Sequence, residues 1–243
     1  SPSPDSATVV VDESPTPDID FGKFQVMRVR GESFEDLNVN GARDADEPLL
    51  TGPFTVYVDL PGSEADRQQS LQSSATYDIL QIGPGTSTTP APKFTVDQVI
   101  TGTEFLEVGP ILPVEYAVWS DLNQVVNFAN IRPMTVVVDV FHDLNGDGVR
   151  QSAQGENLLD DWTIELDLND DGSSDAPGPE QTRSGGVTFS NVGIGAAQGS
   201  RTITVHTQPQ AGWNQTTVTP VWNMQSGQTF RTSIGQTRDG AIH

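Results

Sequence analysis

The sequence predicts an all-β protein built from two tandem antiparallel β-sandwich repeats. Three observations carry that expectation. Short runs of β-branched and aromatic residues alternate with polar ones and are bounded by Gly, Pro, Asn and Asp, the pattern of strands and turns. No apolar stripe of helical period is present. The chain also repeats itself, with Phe34 matching Phe141, a period near 107 in 243 residues.

The repeat sets the boundaries. Phe34–Leu60 aligns with Phe141–Leu168, with small insertions and deletions after the glycine of each Asp-Asn-Gly loop, so that Asp36 matches Asp143, Asn38 matches Asn145, Gly41 matches Gly148, Arg43 matches Arg150 and Asp59 matches Asp167. Its end recurs as well: Asp20-Phe21-Gly22-Lys23-Phe24 is similar to Asn127-Phe128-Ala129-Asn130-Ile131 and, more weakly, to Ser233-Ile234-Gly235-Gln236-Thr237. Residues 1–24 then read as the terminal strand of a preceding module or as a strand donated between subunits. Residues 25–131 and 132–237 read as the two complete modules, and 238–243 as the start of a next module or a tail. The first module is expected to use Val26–Phe34, Thr55–Asp59, Phe94–Val99, Val114–Val118 and Val125–Phe128 as strands. The second uses Thr135–Phe141, Thr163–Leu168, Val187–Phe189, Thr202–His206 and Gln228–Ile234. About seven short strands per ~105 residues fit an Ig-like sandwich. A small barrel fits the same count.

Composition narrows the partners. Asp and Glu total 33 against 12 Lys and Arg, a net charge of −21, and the only lysines are Lys23 and Lys93. Nucleic acid is therefore not an expected partner. Such charge is compatible with divalent-cation sites, adaptation to high salt or simple solubility, and short-spaced Asp clusters favour the first. With no cysteine, disulfides and thiolate metal sites are excluded, so small secreted modules need another clamp. No apolar run approaches the ~20 residues that span a bilayer, and the Ser-Pro-Ser-Pro start lacks the features of a signal peptide.

Asp36-x-Asn38-x-Asn40-Gly41, followed by five residues and Glu47, matches the calcium-loop pattern at each specified place. Calcium takes six to eight oxygens at about 2.3–2.6 Å, so a tight loop must turn alternate side chains inward. Asp36, Asn38 and Asn40 would supply positions 1, 3 and 5, the Ala42 carbonyl position 7, Asp44 position 9, and Glu47 the bidentate closure. Strands rather than helices flank the loop, so helix-pair opening has no counterpart. The second copy retains Asp143, Asn145 and Asp147, with the Val149 carbonyl at position 7, but Gln151 and Gln154 replace the acids; Glu156 closes it if two extra residues bulge outward. A third cluster, Asp167, Asn169, Asp171 and Asp175, repeats the spacing at a strand end. Its first-module counterpart, Asp59–Asp66, has lost the Asn and Gly positions. Each cluster also fits a metal-free Asx-turn, which favours the same residues. A Ca2+ ion bound only by the folded state would stabilise it through linkage, and could stiffen the junction between modules.

These residues resemble a family. Gly31 to Pro48 follows G-x-x-F-x-D-x-N-x-N-G-x-R-D-x-x-E-P, the signature of the B-type repeats of serine-aspartate repeat surface adhesins and related Cna-B-like modules of prokaryotic surface proteins. The second module is similar more loosely, with Val138 in the glycine position. Ala211–Thr217 and Ser226–Thr229 look like the family's penultimate segments, while Ser63–Pro92 matches poorly. The resemblance implies a calcium-dependent, prealbumin-like β-sandwich serving as a stalk or spacer at the cell surface. Some such modules carry a Lys–Asn isopeptide bond; the second module has no lysine, and only Lys23 or Lys93 could serve the first.

Catalysis is not expected. His142, His206 and His243 show no metal or triad spacing, and no nucleophile elbow or phosphate loop occurs. The expectation is a structural repeat of an extracellular surface or fibre-forming protein, partnered by neighbouring repeats or other copies of itself, with Ala7–Val11 able to add a strand to a sheet edge. The alternative is an adhesive or carbohydrate-binding module gripping a matrix or glycan ligand through Trp119, Trp162, Trp213 and Trp222. Trp162 matches Phe54 and points to core packing, while Trp213 and Trp222 have no evident first-module equivalents. Asn214-Gln215-Thr216 is a glycosylation sequon.

Overall fold

The computed structural model describes residues 23–50, 54–60, 62, 68–72 (backbone only), 76–83, 93–102, 104–109, 114–118, 122–175, 177–194 and 201–240. The donor-strand segment Ala7–Val11, Asp66, Trp119 and His243 fall outside them. Among the described residues the strands are β1 (Met27–Glu35), β2 (Phe54–Asp59), β3 (Gln68–Gln72), β4 (Thr76–Ile82), β5 (Lys93–Ile100), β6 (Leu106–Gly109), β7 (Val114–Ala117), β8 (Asn123–Val125), β9 (Phe128–Ile131), β10 (Met134–His142), β11 (Thr163–Asp167), β12 (Glu180–Gln181), β13 (Gly186–Val192), β14 (Thr202–Thr207), β15 (Trp213–Gln215), β16 (Val221–Asn223) and β17 (Thr229–Arg238). The only helical element among them is one 3₁₀ turn, Ser152–Gln154.

Two compact units result: the first holds the described residues of Ser1–Glu35, Arg43–Thr103 and Gly109–Asn130, the second those of Asp36–Ala42, Glu104–Val108 and Ile131–His243. The second is two four-stranded sheets, β13-β10-β17-β15 and β12-β11-β14-β16. Alternate residues fill the space between them: Val136, Val138 and Val140 of β10, Ile164 and Leu166 of β11, Ile203 and Val205 of β14, and Ile234 of β17 are all buried. That alternation is the two-residue period of a strand with one face on the core. The first unit repeats the plan, with β4-β1 continued by β8 and β9 in one sheet and β3-β2-β5-β7 in the other. Its core joins Met27, Val29, Tyr77, Ile79 and Ile82 to Phe54, Val56, Val58, Phe94 and Val96. The protein is thus all-β, a tandem pair of Ig-like sandwiches whose first and last strands run parallel in each unit.

Strand register reproduces the sequence repeat. Ser33, Phe34 and Glu35 pair with Phe128, Ala129 and Asn130, as Val140, Phe141 and His142 pair with Ile234, Gly235 and Gln236. The poorly matching stretch Ser63–Pro92 contains β3 and β4, which hold the places of β12 and β13.

The expected strand Val125–Phe128 is instead broken at Val126 and Asn127, and Gly31 explains why. A Cβ on Gly31 would lie 1.7 Å from the Val126 carbonyl oxygen, so only glycine allows the closing strand to cross there. Tyr77 Oη donates to that carbonyl at 2.7 Å, and Asn127 Oδ1 accepts from Glu32 N at 3.2 Å. In the second unit β17 runs unbroken beside β10 through eight pairs. No glycine is needed there, and Val138 takes the place.

Candidate functional site

The three Asp-Asn-Gly clusters fold into one backbone form. Positions 4 and 6 have left-handed φ in each: 59° and 79° at Val39 and Gly41, 73° and 75° at Gly146 and Gly148, 59° and 79° at Asp170 and Gly172. A β-branched residue rarely takes this conformation. Val39 does so while fully buried.

The hydrogen bonds follow the same rule. The position-1 carboxylate accepts from the position-6 N–H, at 2.7 Å for Asp36 and 2.8 Å for both Asp143 and Asp167. The position-3 side chain accepts from the position-5 N–H, at 3.1 Å for Asn38 and 3.0 Å for Asn145 and Asn169. The position-5 side chain accepts from the position-7 N–H, at 2.6 Å for Asn40 and 2.8 Å for Asp147 and Asp171. Each loop therefore turns three side-chain oxygens toward its own interior.

The first loop is divided between the units, Asp36–Ala42 in the second and Arg43–Glu47 in the first. Within the second unit Asp36 is buried, and Leu37 O accepts from Ser226 N at 3.0 Å. Within the first, Glu47 is buried and its Oε2 accepts from Asp44 N at 2.9 Å, while Arg43 Nη2 reaches Glu47 O at 3.4 Å.

The second loop lies wholly in the second unit and is closed by Glu156. The two extra residues are taken up by the 3₁₀ turn Ser152–Gln154 and by Gly155, whose φ is 90°. This leaves Gln154 exposed and brings the Glu156 carboxylate to the loop, where Oε1 accepts from Leu144 N at 3.1 Å and Oε2 from Gln151 N at 2.5 Å. The flanks match those of the first loop: His142 N donates to Asn157 O and Leu159 N to Val140 O, both at 2.8 Å, as Glu35 N does to Pro48 O and Leu50 N to Ser33 O, both at 2.9 Å. Gln151, at the ninth place, turns its amide onto Asp147 Oδ2 at 2.6 Å. In the third loop the closing acid is Asp175, whose Oδ2 accepts from Leu168 N at 2.7 Å.

Burial and hydrogen bonding set the charge state of these acids. Burial alone would raise the Asp143 carboxyl, but the Thr216 hydroxyl and the N–H groups of Gly148 and Gly146 outweigh it and hold the group below its ordinary value. Asp167 is likewise buried yet lowered, by the N–H groups of Gly172, Asn169, Asp170 and Asp171. Asp147 is lowered chiefly by the Val149 N–H and the Gln151 amide. The sequence pattern had no means of finding Thr216, which strand pairing delivers from 69 or more residues beyond the loop's first carboxylates.

Among the described residues no three His, Cys, Asp or Glu side chains gather as a metal cluster. The side-chain oxygens in each loop come from a mixture of carboxylates and Asn amides, which is the donor chemistry of a hard cation. In the second loop Asp143 is fully buried and Glu156 nearly so. The nearest arginine bond, from Arg150 Nε, goes to the Glu156 main-chain oxygen at 3.3 Å rather than to its carboxylate. The residues present fit a divalent cation.

The three described tryptophans form no open platform. Trp162 is buried and meets Trp213 edge-on, with an interplanar angle of 90°. Arg238 covers the Trp213 ring at 4.9 Å, with His142 at its edge. Trp222 stacks on Phe230 at 5.3 Å. Register gives Trp222 a first-module equivalent after all: it pairs with Ile203 as Tyr116 pairs with Phe94. In the first unit Asn130 is committed to Ser33 Oγ at 2.9 Å, Phe128 O at 3.0 Å and Gln98 Nε2 at 3.0 Å, while Lys93 pairs with Glu115 at 2.9 Å.

No helix among the described residues is long and apolar enough to cross a membrane. No family model matches the chain, and no curated protein does. Among solved structures it is similar to the TIE protein of Bacillus anthracis, at 10% identity and a TM-score of 0.33 over 88% of this chain, which spans only 34% of that protein. It is also similar to GBS52, the minor pilin of Streptococcus agalactiae, at 11% identity and a TM-score of 0.37 over 89% of this chain and 98% of that one. A streptococcal ancillary pilin is similar at 10% identity, with a TM-score of 0.40 over 95% of this chain and 68% of the other.

Proposed function

We propose that the chain is a calcium-stabilised structural segment of a large extracellular surface or fibre-forming protein, in which Ca2+ held by the Asp-Asn-Gly loops clamps small sandwiches that have no disulfide. One observation carries this reading: two buried carboxylates, Asp143 and Glu156, serve one loop with no cationic side chain among the described residues bonded to either. An Asx-turn accounts for Asp143 and Asn145. It gives no reason to bury a second acid in the same loop, because two buried like charges repel each other even where each is hydrogen-bonded.

Asp143, Asn145, Asp147, the Val149 carbonyl and Glu156 would hold the ion in the second loop. Asp36, Asn38, Asn40 and the Ala42 carbonyl are the oxygens that the second unit's part of the first loop would offer, and Asp167, Asn169, Asp171 and Asp175 would hold the ion in the third. The ion supplies positive charge among carboxylates that otherwise repel one another, and binding to the folded state alone adds about 2.7 kcal/mol when free calcium is a hundredfold above Kd. The assembly partners of this reading are neighbouring repeats or further copies of the chain. Its role is mechanical rather than catalytic, at the cell surface or outside the cell.

Thermal unfolding in excess calcium and in chelator tests the proposal. A melting temperature several degrees higher with calcium is expected, and equal melting temperatures would overturn it.

A further inference from the structure

On the outer face of the sheet β12-β11-β14-β16, strand pairing sets Asp167 opposite Thr204 and Glu165 opposite His206. Directly opposed residues carry their side chains on one face at close range. The Asp167 side chain is almost wholly enclosed, and its Oδ2 lies 3.9 Å from His206 Nε2. That separation is too long for a hydrogen bond. His206 Nε2 is shielded from solvent with no hydrogen-bond partner, and so is Thr204 Oγ1, on a residue only 6% exposed. A buried hydroxyl and a buried ring nitrogen left without partners beside a carboxylate cost free energy unless something sits among them.

We propose that Asp167 Oδ2, His206 Nε2 and Thr204 Oγ1 form a site for a borderline divalent transition ion of the zinc class. Two donors each about 2.0–2.2 Å from a shared ion stand about 3.4–4 Å apart at a tetrahedral or wider angle, which is the spacing found. The imidazole nitrogen sets the preference, since calcium takes oxygen ligands whereas zinc, nickel and copper favour imidazole. The His206 ring is 42% exposed although its Nε2 is shielded, and three protein donors leave a fourth position open. Glu165, held by Gln208 Nε2 at 2.7 Å, adds negative charge on the same face. The proposal does not depend on calcium but shares Asp167 with the third loop: its Oδ2, which accepts from Gly172 N at 2.8 Å, must also face β14.

Zinc titration of the full chain, followed by the imidazole 15N shifts of His142, His206 and His243, tests this. The expected result is a selective shift of His206 Nε2 at one equivalent, with cobalt giving a visible d–d absorption from the same site. His206→Gln is expected to weaken zinc binding at least tenfold while leaving the calcium-dependent rise in melting temperature intact. Thr204→Val, which keeps the shape, is expected to weaken zinc severalfold. Zinc binding that persists in His206→Gln, or shifts confined to His142 or His243, overturns the site. Loss of the calcium response in the parent chain with the zinc response retained would sink the calcium reading and leave this one standing.

Discussion

Replacing Glu156 by Gln separates a carboxylate that merely closes a loop from one that holds a metal. Glu156 is nearly fully buried and its two oxygens accept from two different main-chain donors, Leu144 N and Gln151 N. An amide keeps one acceptor and turns an NH2 toward the second donor, so one charge-assisted hydrogen bond is lost, about 1.5–3 kcal/mol. That loss is expected in chelator. In calcium the variant also forfeits a bidentate ligand and with it most of the linkage stabilisation, a further ~2.7 kcal/mol when the ion is a hundredfold above Kd. The gap between parent and variant should therefore about double when calcium replaces chelator. Urea unfolding followed by tryptophan fluorescence reads it, because three of the chain's four tryptophans, Trp162, Trp213 and Trp222, belong to the second unit. A gap of the same size in both conditions would refute metal ligation by Glu156 and leave it a loop-closing acceptor.

Further outcomes follow from other parts of the molecule. Gly31→Ala places a methyl 1.7 Å from the Val126 carbonyl oxygen, so a loss of about 3 kcal/mol or more is expected in the first unit's unfolding; a near-neutral result would mean the strand break is not forced. Asp143 and Asp167 are held below 3.8, so each contributes stability that is complete above that value and lost as pH falls through its lower folded value. Melting in chelator should thus decline below about pH 4, and more steeply in the parent than in Asp167→Asn; equal slopes would contradict this. An intact mass equal to that of the sequence is expected, because Asn130 is committed to Ser33 and Gln98 while Lys93 lies at the surface with Glu115. A deficit of one ammonia would reveal a crosslink.

How much of this was legible in the sequence depends on the range of the contacts involved. The Asp-Asn-Gly loops are contiguous, and their bonds run from one residue to another two to five positions away. Backbone geometry over so short a span is dictated by the residues in it: Asx side chains bonding their own backbone and residues tolerant of left-handed φ. The period near 107, the strands β1, β10 and β17 taken singly, and the third loop's likeness to the other two were visible for the same reason, each being a pattern in adjacent residues. Strands β3, β4, β6, β12, β15 and β16 were not, because edge strands, most of them short, lack an alternation strong enough to stand out, and their pairing depends on partners distant in the chain.

What the sequence by itself determined, then, was the strand-and-turn character of the chain, its repetition and the inward turn of each Asp-Asn-Gly loop. Only tertiary structure decided which acid closes the second loop, since Glu156 reaches it through a 3₁₀ turn that absorbs the insertion. It also decided why Gly31 is glycine and Val138 is not, and which distant groups, Thr216 and His206, stand beside the carboxylates of Asp143 and Asp167. Those are consequences of strand register and close backbone approach, which couple residues far apart in sequence and leave no local pattern to read.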